Sequence, residues 1–556
     1  MRASRRLLGS VAGLAALQGA GHGVMAADLA ADLAADLAAR LAAHPRTPVE
    51  YVRVCTTHGT GFFVVPGTDT CLRVSGRAQF HAGYVQSYSR SGVNGDLTNY
   101  WGAGRLNLDA RTQTAYGTLR AFVRVDLVSR TGNYVTSGSQ QRIARAFPAL
   151  GVDTFGRAQQ FVNVDKAFIQ FAGLTAGRAA SFYDFYAHDF EIAAASLGSD
   201  LFSTNLIAYT AKVADGVSAT LSIEDPIYRK NPVFGNGIAG NTASQFQIFA
   251  PSNGNFAPLV VTDAAGLPVG EAFYDVAQRS RLPDIVAVLR YDGSWGSVQA
   301  SAALHEINTG NAASLTRFSG APTGAVATPR PATAYGFAVQ GGLKLNLPTI
   351  AAGDALYLQG AYGDGATLYT GYANYTGSYT ATASLGQGTA VPQDFVDAVL
   401  DPVTGRLDRS TSWTILASYL HNWNPNWRSA AFGSYGEIAF GKAARTGLGL
   451  LNFAGIPNPA LRPGAFALNG TLRDANQLVA GLNLIWSPVR ELDIGLEGLY
   501  SRVGLQSGRT IDLGRTPGAV VADVVDGVPV TATGAPLRTV SSTDVFQFRM
   551  RVQREF

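Results

Sequence analysis

The sequence is poor in charge, in sulfur and in long apolar runs. Of its 556 residues, 15% are charged, two are cysteine and three are methionine. Beyond the N-terminal segment no apolar run approaches the roughly 20 residues that a transmembrane helix needs, which excludes a helical membrane protein. The net charge is +4, and three of these charges come from Arg2, Arg5 and Arg6 at the start of the chain. The remaining charge is too small to indicate a nucleic-acid partner.

The first 26 residues have the parts of a secretory signal. A basic start is followed by an apolar stretch from Leu7 to about Ala20 and by Val24-Met25-Ala26, a cleavage site of small residues. We therefore predict a signal peptide over 1–26 and an exported protein. Residues 27–48 then repeat the unit ADLA, which predicts a short amphipathic helix or linker.

From about residue 72 onward, apolar and polar residues alternate with a period of two. In LRAFVRVDL, for example, Leu119, Val123 and Leu127 alternate with Arg120 and Arg124. Such alternation predicts strands that are apolar on one face and polar on the other. About sixteen strands of this kind are predicted, near 72–86, 103–114, 118–129, 160–171, 174–183, 205–213, 216–224, 284–292, 296–306, 335–347, 355–363, 411–422, 427–436, 477–487, 491–501 and 543–556.

Short and long connections alternate strictly between these strands. Turns such as AYG, ADG and DGSW are each followed by a longer loop, and several of these loops run to tens of residues. Outer-membrane barrels sort their connections in this way, with short periplasmic turns and long extracellular loops. We therefore predict an all-β fold, a transmembrane antiparallel β-barrel over residues 72–556 in the bacterial outer membrane, in contact with its lipid.

The tryptophans agree with this prediction. All six fall at predicted strand ends, where an aromatic girdle lies at the two membrane interfaces; they are Trp101, Trp295, Trp413, Trp423, Trp427 and Trp486.

Cys55 and Cys71 could form a redox pair, half of a metal site or a disulfide. Their spacing is not C-x-x-C, and His58 alone is not enough to complete a metal site. An exported chain meets an oxidising compartment. The pattern favours a disulfide that pins residues 49–71, the segment entering the first strand.

Four stretches resemble the alphaproteobacterial porin family of the rhizobial and brucella type: VCTTHGTGFFVVPGTDTCLRVSG, AFIQFAGLTAGRAASFYDFY, LNLIWSPVRELDIGLEGLY and the ending FQFRMRVQREF. The resemblance implies a homotrimer of sixteen-stranded barrels through which small hydrophilic solutes and ions diffuse passively. It also implies that Phe556 is part of the signal read by the barrel assembly machinery. Members of this family can begin, after cleavage, with Ala-Asp and are tethered to peptidoglycan through it. The resemblance therefore implies a possible tether at Ala27-Asp28.

The resemblance further implies a pore constriction made by the third loop, near 184–204, which follows the pair Gly177-Arg178. Acids of this loop would face arginines of the wall and set up a transverse field. The acids are Asp184, Asp189, Glu191 and Asp200, and the arginines are Arg77, Arg111, Arg124 and Arg178.

Other functions have weaker support. The seven histidines lack ligand spacing, so neither a metal site nor a cofactor is predicted. A dinucleotide site requires its glycine-rich motif to follow a buried strand and to open a helix. GNGIAG at 235–240 does neither. No local motif brings a nucleophile to a base, so we do not predict an enzyme. An uptake channel for one substrate class remains the alternative to a general diffusion channel.

Overall fold

Sixteen antiparallel strands form a closed barrel. The computed structural model describes residues 53–85, 97–132, 150–151, 158–199, 203–231, 233–234, 256–275, 278–309, 312–317, 319–320, 326–327, 333–372, 391, 395–443, 445, 472–512, 515–516, 519 and 521–556. The barrel strands are β1 (Cys71–Val85), β2 (Thr98–Thr114), β3 (Gly117–Gly132), β4 (Ala158–Phe171), β5 (Leu174–Ala179), β6 (Thr204–Ala214), β7 (Val217–Glu224), β8 (Asp284–Gly293), β9 (Gly296–Ile307), β10 (Ala334–Asn346), β11 (Ala355–Asp364), β12 (Thr411–Asn424), β13 (Trp427–Ala439), β14 (Ala475–Val489), β15 (Leu492–Leu505) and β16 (Ser542–Glu555).

Each strand pairs with the next along the chain, and the last strand pairs with the first. At this closing seam Gln79 of β1 stands opposite Gln553 of β16, and Phe80 stands opposite Val552. Closure leaves no free sheet edge, so the backbone groups of every strand are paired within the sheet. The predicted strands and the strict alternation of connections are confirmed. We call the two ends of the barrel the turn end and the loop end.

The outer face is apolar because the alternating residues put their large hydrophobic side chains there. Examples are Leu127, Leu289, Leu304, Leu482 and Leu496, each more than half exposed. In a soluble protein such exposure would be costly, whereas lipid accepts it. No helix among the described residues is long and apolar enough to cross a membrane.

The tryptophan prediction holds at most positions and is wrong at one. Trp295, Trp423, Trp427 and Trp486 lie at the turn end and are well exposed. Trp101, in contrast, is only 4% exposed and packs edge-on against His81, with the ring centroids 4.4 Å apart. It is excluded from the girdle because its position in β2 belongs to the inner face.

The segment before β1 folds onto the turn end. Cys55 and Cys71 form the expected disulfide, and the short strand Phe63–Val64 pairs with the start of β1. The two cysteines bury Phe62, and the Arg111 guanidinium lies 4.9 Å from the centre of its ring. The signal peptide predicted over 1–26, the repeat over 27–48 and the pair Ala27-Asp28 lie outside the described residues.

At the loop end, the long connections pack against one another. Loop 4 (225–283), loop 5 (308–333) and loop 6 (365–410) share two small sheets. The first contains Phe256–Thr262, Pro268–Asp275 and Ala312–Arg317, and the second contains Val233–Phe234, Ala398–Leu400 and Leu407–Arg409. Two short 3-10 helices, Pro226–Arg229 and Thr367–Thr370, begin loops 4 and 6. Loop 8 (506–541) contributes the pairs Thr510–Ile511 with Thr539–Val540 and Asp523–Val525 with Val528–Val530.

Candidate functional site

Loop 3 joins β5 to β6 (180–203), and its described residues 180–199 fold into the barrel and lie along one side of the inner wall. Glutamine side chains of β9, β10 and β11 hold its first half. Gln299 and Gln340 donate to the Tyr183 carbonyl, the latter at 2.8 Å. The side-chain oxygen of Gln359 accepts from the Tyr186 amide at 3.0 Å. These inward glutamines satisfy backbone groups that the irregular loop cannot pair itself.

The second half of loop 3 reaches three further strands. The Leu197 amide donates to Ser434 of β13, and Asn483 of β14 donates to the Phe190 carbonyl, both at 2.7 Å. On β15 the Glu497 carboxylate accepts the amides of Ile192 and Ala193, again at 2.7 Å each. Loop 3 therefore lies along the wall from β9 to β15 and narrows the lumen there.

The predicted acids of loop 3 have different environments. Asp184 accepts from Arg229 of loop 4 at 2.7 Å and is bound by Ser199 at 2.5 Å. Glu191 is 4% exposed and accepts the hydroxyl of Tyr186 and the amides of Ala195 and Ser196 within 3.2 Å. Both carboxylates thus tie the loop, contrary to the expectation that they face water. Asp189 is exposed, and Asp200 lies outside the described residues.

The predicted arginines separate in the same way. Arg77 and Arg124 lie on the inner wall, where Arg124 donates to Asn107 at 2.8 Å. Arg111 also points inward, but it stands opposite Cys71 at the turn end, six residues from the level of Arg77 on β1. Arg178 belongs to the outer face. It stands opposite Asn205, on the same face of β5 and β6 as the exposed side chains of Leu174 and Tyr209. Its Nε donates to the Val164 carbonyl at 2.8 Å.

The inner wall opposite loop 3 carries further charged residues that the sequence analysis missed. Arg105 stands between Arg77 and Asp126, and its guanidinium donates to the Asp126 carboxylate at 2.6 and 2.9 Å. Lys166 stands opposite Arg124. A bulge in β4 at this point also turns the Asp165 side chain toward Arg124. The register of the β2–β3 hairpin, which turns at Ala115-Tyr116, is the signal that would have found Arg105 and Asp126.

Two more arginines extend this wall across the closing seam. Arg551 of β16 stands opposite His81 of β1, and Arg549 stands opposite Gly83. The wall of β16 and β1 to β4 is therefore rich in guanidinium groups, while loop 3 covers the other side. The arrangement suits a constricted aqueous passage with a positive wall, since fixed charges lining a narrow lumen select the ions that pass.

Comparison with known proteins agrees with this architecture. The family model described as Porin subfamily matches residues 39–522. Porin Omp2b of Brucella suis is 28% identical over 304 residues, which cover 52% of this chain and 63% of that protein. Porin Omp2b of Brucella abortus strain 2308 is 29% identical over 302 residues, with the same two shares. This chain thus spans less than two thirds of the length of these relatives.

A solved structure gives a weaker match. The outer membrane channel DcaP of Acinetobacter baumannii superposes with a TM-score of 0.47 at 12% identity, covering 88% of this chain and 97% of that one.

Proposed function

Because this chain belongs to the porin subfamily, we propose that it forms a water-filled channel through which small hydrophilic solutes and ions cross the bilayer by passive diffusion. Its family and its closed barrel place it in the bacterial outer membrane. Family membership also points to a channel rather than an enzyme.

The observation that carries this proposal is loop 3 inside the lumen. A barrel of sixteen strands is wide enough to leave an aqueous channel. Loop 3 narrows that channel, and side chains of β9, β10, β11, β13, β14 and β15 hold it against the wall through hydrogen bonds. The passage is lined by the arginine wall on one side and by loop 3, including the exposed Asp189, on the other.

Within this proposal the pore-lining roles fall to Arg77, Arg124 and Asp189, with Arg105 added from the structure. Asp184 and Glu191 support the loop from within. Arg111 acts at the turn-end mouth of the lumen. Neutralising Asp189 would then shift ion selectivity toward anions, whereas neutralising Glu191 would first disturb the loop.

Assembly is the second part of the proposal. By resemblance to its family, the chain forms a homotrimer, is inserted by the barrel assembly machinery through the ending at Phe556, and is tethered to peptidoglycan by Ala27-Asp28. Phe556 fits the role of a terminal signal because it is 64% exposed on the apolar outer side. Cross-linking of the native protein tests the trimer, and muramidase digestion that leaves one unshifted mass would contradict the tether.

The channel is tested by swelling of liposomes that contain the refolded protein. We expect entry of neutral sugars whose rate falls with solute size and rises linearly with concentration. Saturation, with block by one solute class, would identify a substrate-specific uptake channel instead. Intact liposomes that admit no sugar although the protein has folded would contradict the proposed function.

A further inference from the structure

The inner wall at the closing seam holds a group of cations and N–H donors, several of which have no hydrogen-bond partner in the described part of the chain. We call it the seam cluster and define it by Arg77, His81, Trp101, Arg549 and Arg551. The strand register brings them together: His81 stands between Trp101 on one side and Arg551 on the other, and Arg549 stands one inward position further toward the loop end. All five residues occupy inward-facing positions.

Five buried nitrogen atoms of the cluster are not satisfied. The Nε atoms of Arg77 and Arg549, both ring nitrogens of His81 and the indole nitrogen of Trp101 have no hydrogen-bond partner among the described residues. The terminal nitrogens of Arg549 donate to Asn99 at 3.1 Å and to Gln547 at 3.2 Å. Buried polar groups are normally paired, so this number of unused donors in one place indicates that something else binds there.

The acids near these three arginines mostly have other partners. Within the described residues none of them has a carboxylate within salt-bridge distance. Glu497 is the register partner of Arg549, but its oxygens accept the amides of loop 3. Asp493 is bound by Arg428 at 2.5 Å, and Asp126 is bound by Arg105. Glu555 stands opposite Arg77 on β16, and its carboxylate accepts from Gln553 at 2.9 Å. These four carboxylates therefore already have hydrogen-bond donors, and none of them forms a salt bridge with the three guanidinium groups in the described part of the chain.

The cluster lies beside the constriction. Arg551 stands opposite Gly495, and the Ile192 side chain of loop 3 packs onto that glycine, within 2.7 Å of the position that a Cβ would occupy. Arg77 and Arg551 are partly exposed, while Arg549, His81 and Trp101 are buried. A solute passing the tip of loop 3 would thus meet the two exposed guanidinium groups first.

We propose that the seam cluster is a binding site for a small oxyanion, such as inorganic phosphate, sulfate or a carboxylate group, and that it gives the channel a preference for anionic solutes. Guanidinium groups bind oxyanions through paired N–H donors, and the indole N–H adds a neutral donor. Because the site faces the lumen, its ligands are solutes in transit rather than lipid phosphates. This inference rests on the proposed channel function.

Planar-bilayer recordings on the full-length protein test it. We expect the wild type to pass chloride in preference to potassium in a KCl gradient, and we expect inorganic phosphate or sulfate to reduce the chloride current. The double variant Arg549→Gln, Arg551→Gln should raise the phosphate concentration for half block by about tenfold or more. Arg290→Gln is the matched control, because it removes a guanidinium from the opposite wall that Asp292 already neutralises.

A conservative variant separates a binding site from a diffuse positive field. Arg551→Lys keeps the charge and the fold but loses the planar fork, so chloride preference should remain while phosphate block weakens several-fold. Block by phosphate that is the same in wild type, Arg551→Lys and the double variant would overturn the site, as would a cation-selective wild type. In both cases the channel itself would stand, whereas a folded protein without conductance would contradict the proposed function.

Discussion

The guanidinium of Arg229 lies 2.7 Å from the carboxylate of Asp184, and their side chains are only 1% and 9% exposed. This pair joins the 3-10 helix at the start of loop 4 to loop 3 inside the lumen. Arg229 also donates to Ser199 at 2.7 Å and stands 4.6 Å from the centre of the Tyr369 ring in loop 6. Side chains of loop 3 and loop 6 therefore contact the guanidinium of Arg229 in loop 4, and these contacts hold the first half of loop 3 in place.

Replacement of Arg229 should loosen loop 3. Arg229→Met removes the cation that pairs with the Asp184 carboxylate, and breaking a buried pair in this way costs about 3 kcal/mol or more. We expect single-channel currents with more frequent brief closures and a higher open-channel noise. Arg281→Met is the control, since Arg281 pairs with Glu306 from an exposed position in loop 4. Equal noise in both variants and wild type would contradict the role of Arg229.

Loss of the disulfide should affect stability more than conductance. Cys55 and Cys71 close a loop with a sequence separation of 16 at the turn end, away from loop 3. In the loop-entropy model such a bridge contributes about 3 kcal/mol. We expect the double variant Cys55→Ser, Cys71→Ser to unfold at a lower temperature while its single-channel conductance stays near the wild-type value. A conductance changed as strongly as the melting temperature would show that the segment belongs to the passage.

Closure of the barrel depends on a glycine that faces the C-terminal residue. Gly76 and Phe556 exchange two backbone hydrogen bonds, at 2.9 and 3.0 Å. A Cβ on Gly76 would lie 2.6 Å from the Phe556 ring and 2.3 Å from the Arg105 carbonyl.

We therefore expect Gly76→Val to reduce the yield of folded, heat-modifiable barrel on a gel several-fold, since such crowding costs about 1–3 kcal/mol. Gly102→Val, on the neighbouring strand, should fold normally because no atom lies within 4 Å of the position that its Cβ would occupy. A normal yield for Gly76→Val would show that the seam tolerates a shifted C-terminus.

The turn before β11 should lose stability in acid. Asp354 accepts hydrogen bonds from His421 at 2.7 Å, from the Tyr419 hydroxyl at 2.8 Å and from the Asn422 amide at 2.8 Å. Burial alone would raise the pKa of Asp354, but these hydrogen bonds outweigh it and lower the pKa to about 2.

A carboxylate whose pKa is lower in the folded state stabilises that state fully above its ordinary pKa, near 4. This stability is lost as the pH falls from about 4 to about 2. We expect the melting temperature of wild type to drop across this window more than that of Asp354→Asn, which should be less stable at neutral pH. Parallel pH profiles for the two proteins would contradict this assignment.

The barrel could be predicted because its signal is local and repeated. Period-two alternation fixes which residues face lipid, and the short turns fix which strands pair, so both the number and the position of the strands follow from the sequence. The two-residue turn at Ala115-Tyr116 even determines that Arg105 faces Asp126.

The constriction was harder to predict because its contacts are long-range. The sequence shows that Glu191 is an acid in the third loop, but not that Tyr186 and two amides of the same loop engage its carboxylate. The faces of Arg178 and Trp101 follow from the strand register rather than from residue type. Arg178 is two residues from Ala176 and four from Leu174 on the outer face, and Trp101 is four residues from Arg105 on the inner face.

The single-channel conductance of a variant with a shortened loop 3 shows most directly whether this loop sets the width of the passage. Replacing residues 187–196 with a short glycine-serine link should remove the part of the loop that reaches β14 and β15. We expect the conductance to rise by about twofold and larger sugars to enter liposomes, because a wider constriction admits both. Shortening the loop 8 hairpin over 523–530 is the control and should change neither. An unchanged conductance and size limit after the loop 3 replacement, in a protein that folds, would contradict the claim that loop 3 sets the passage.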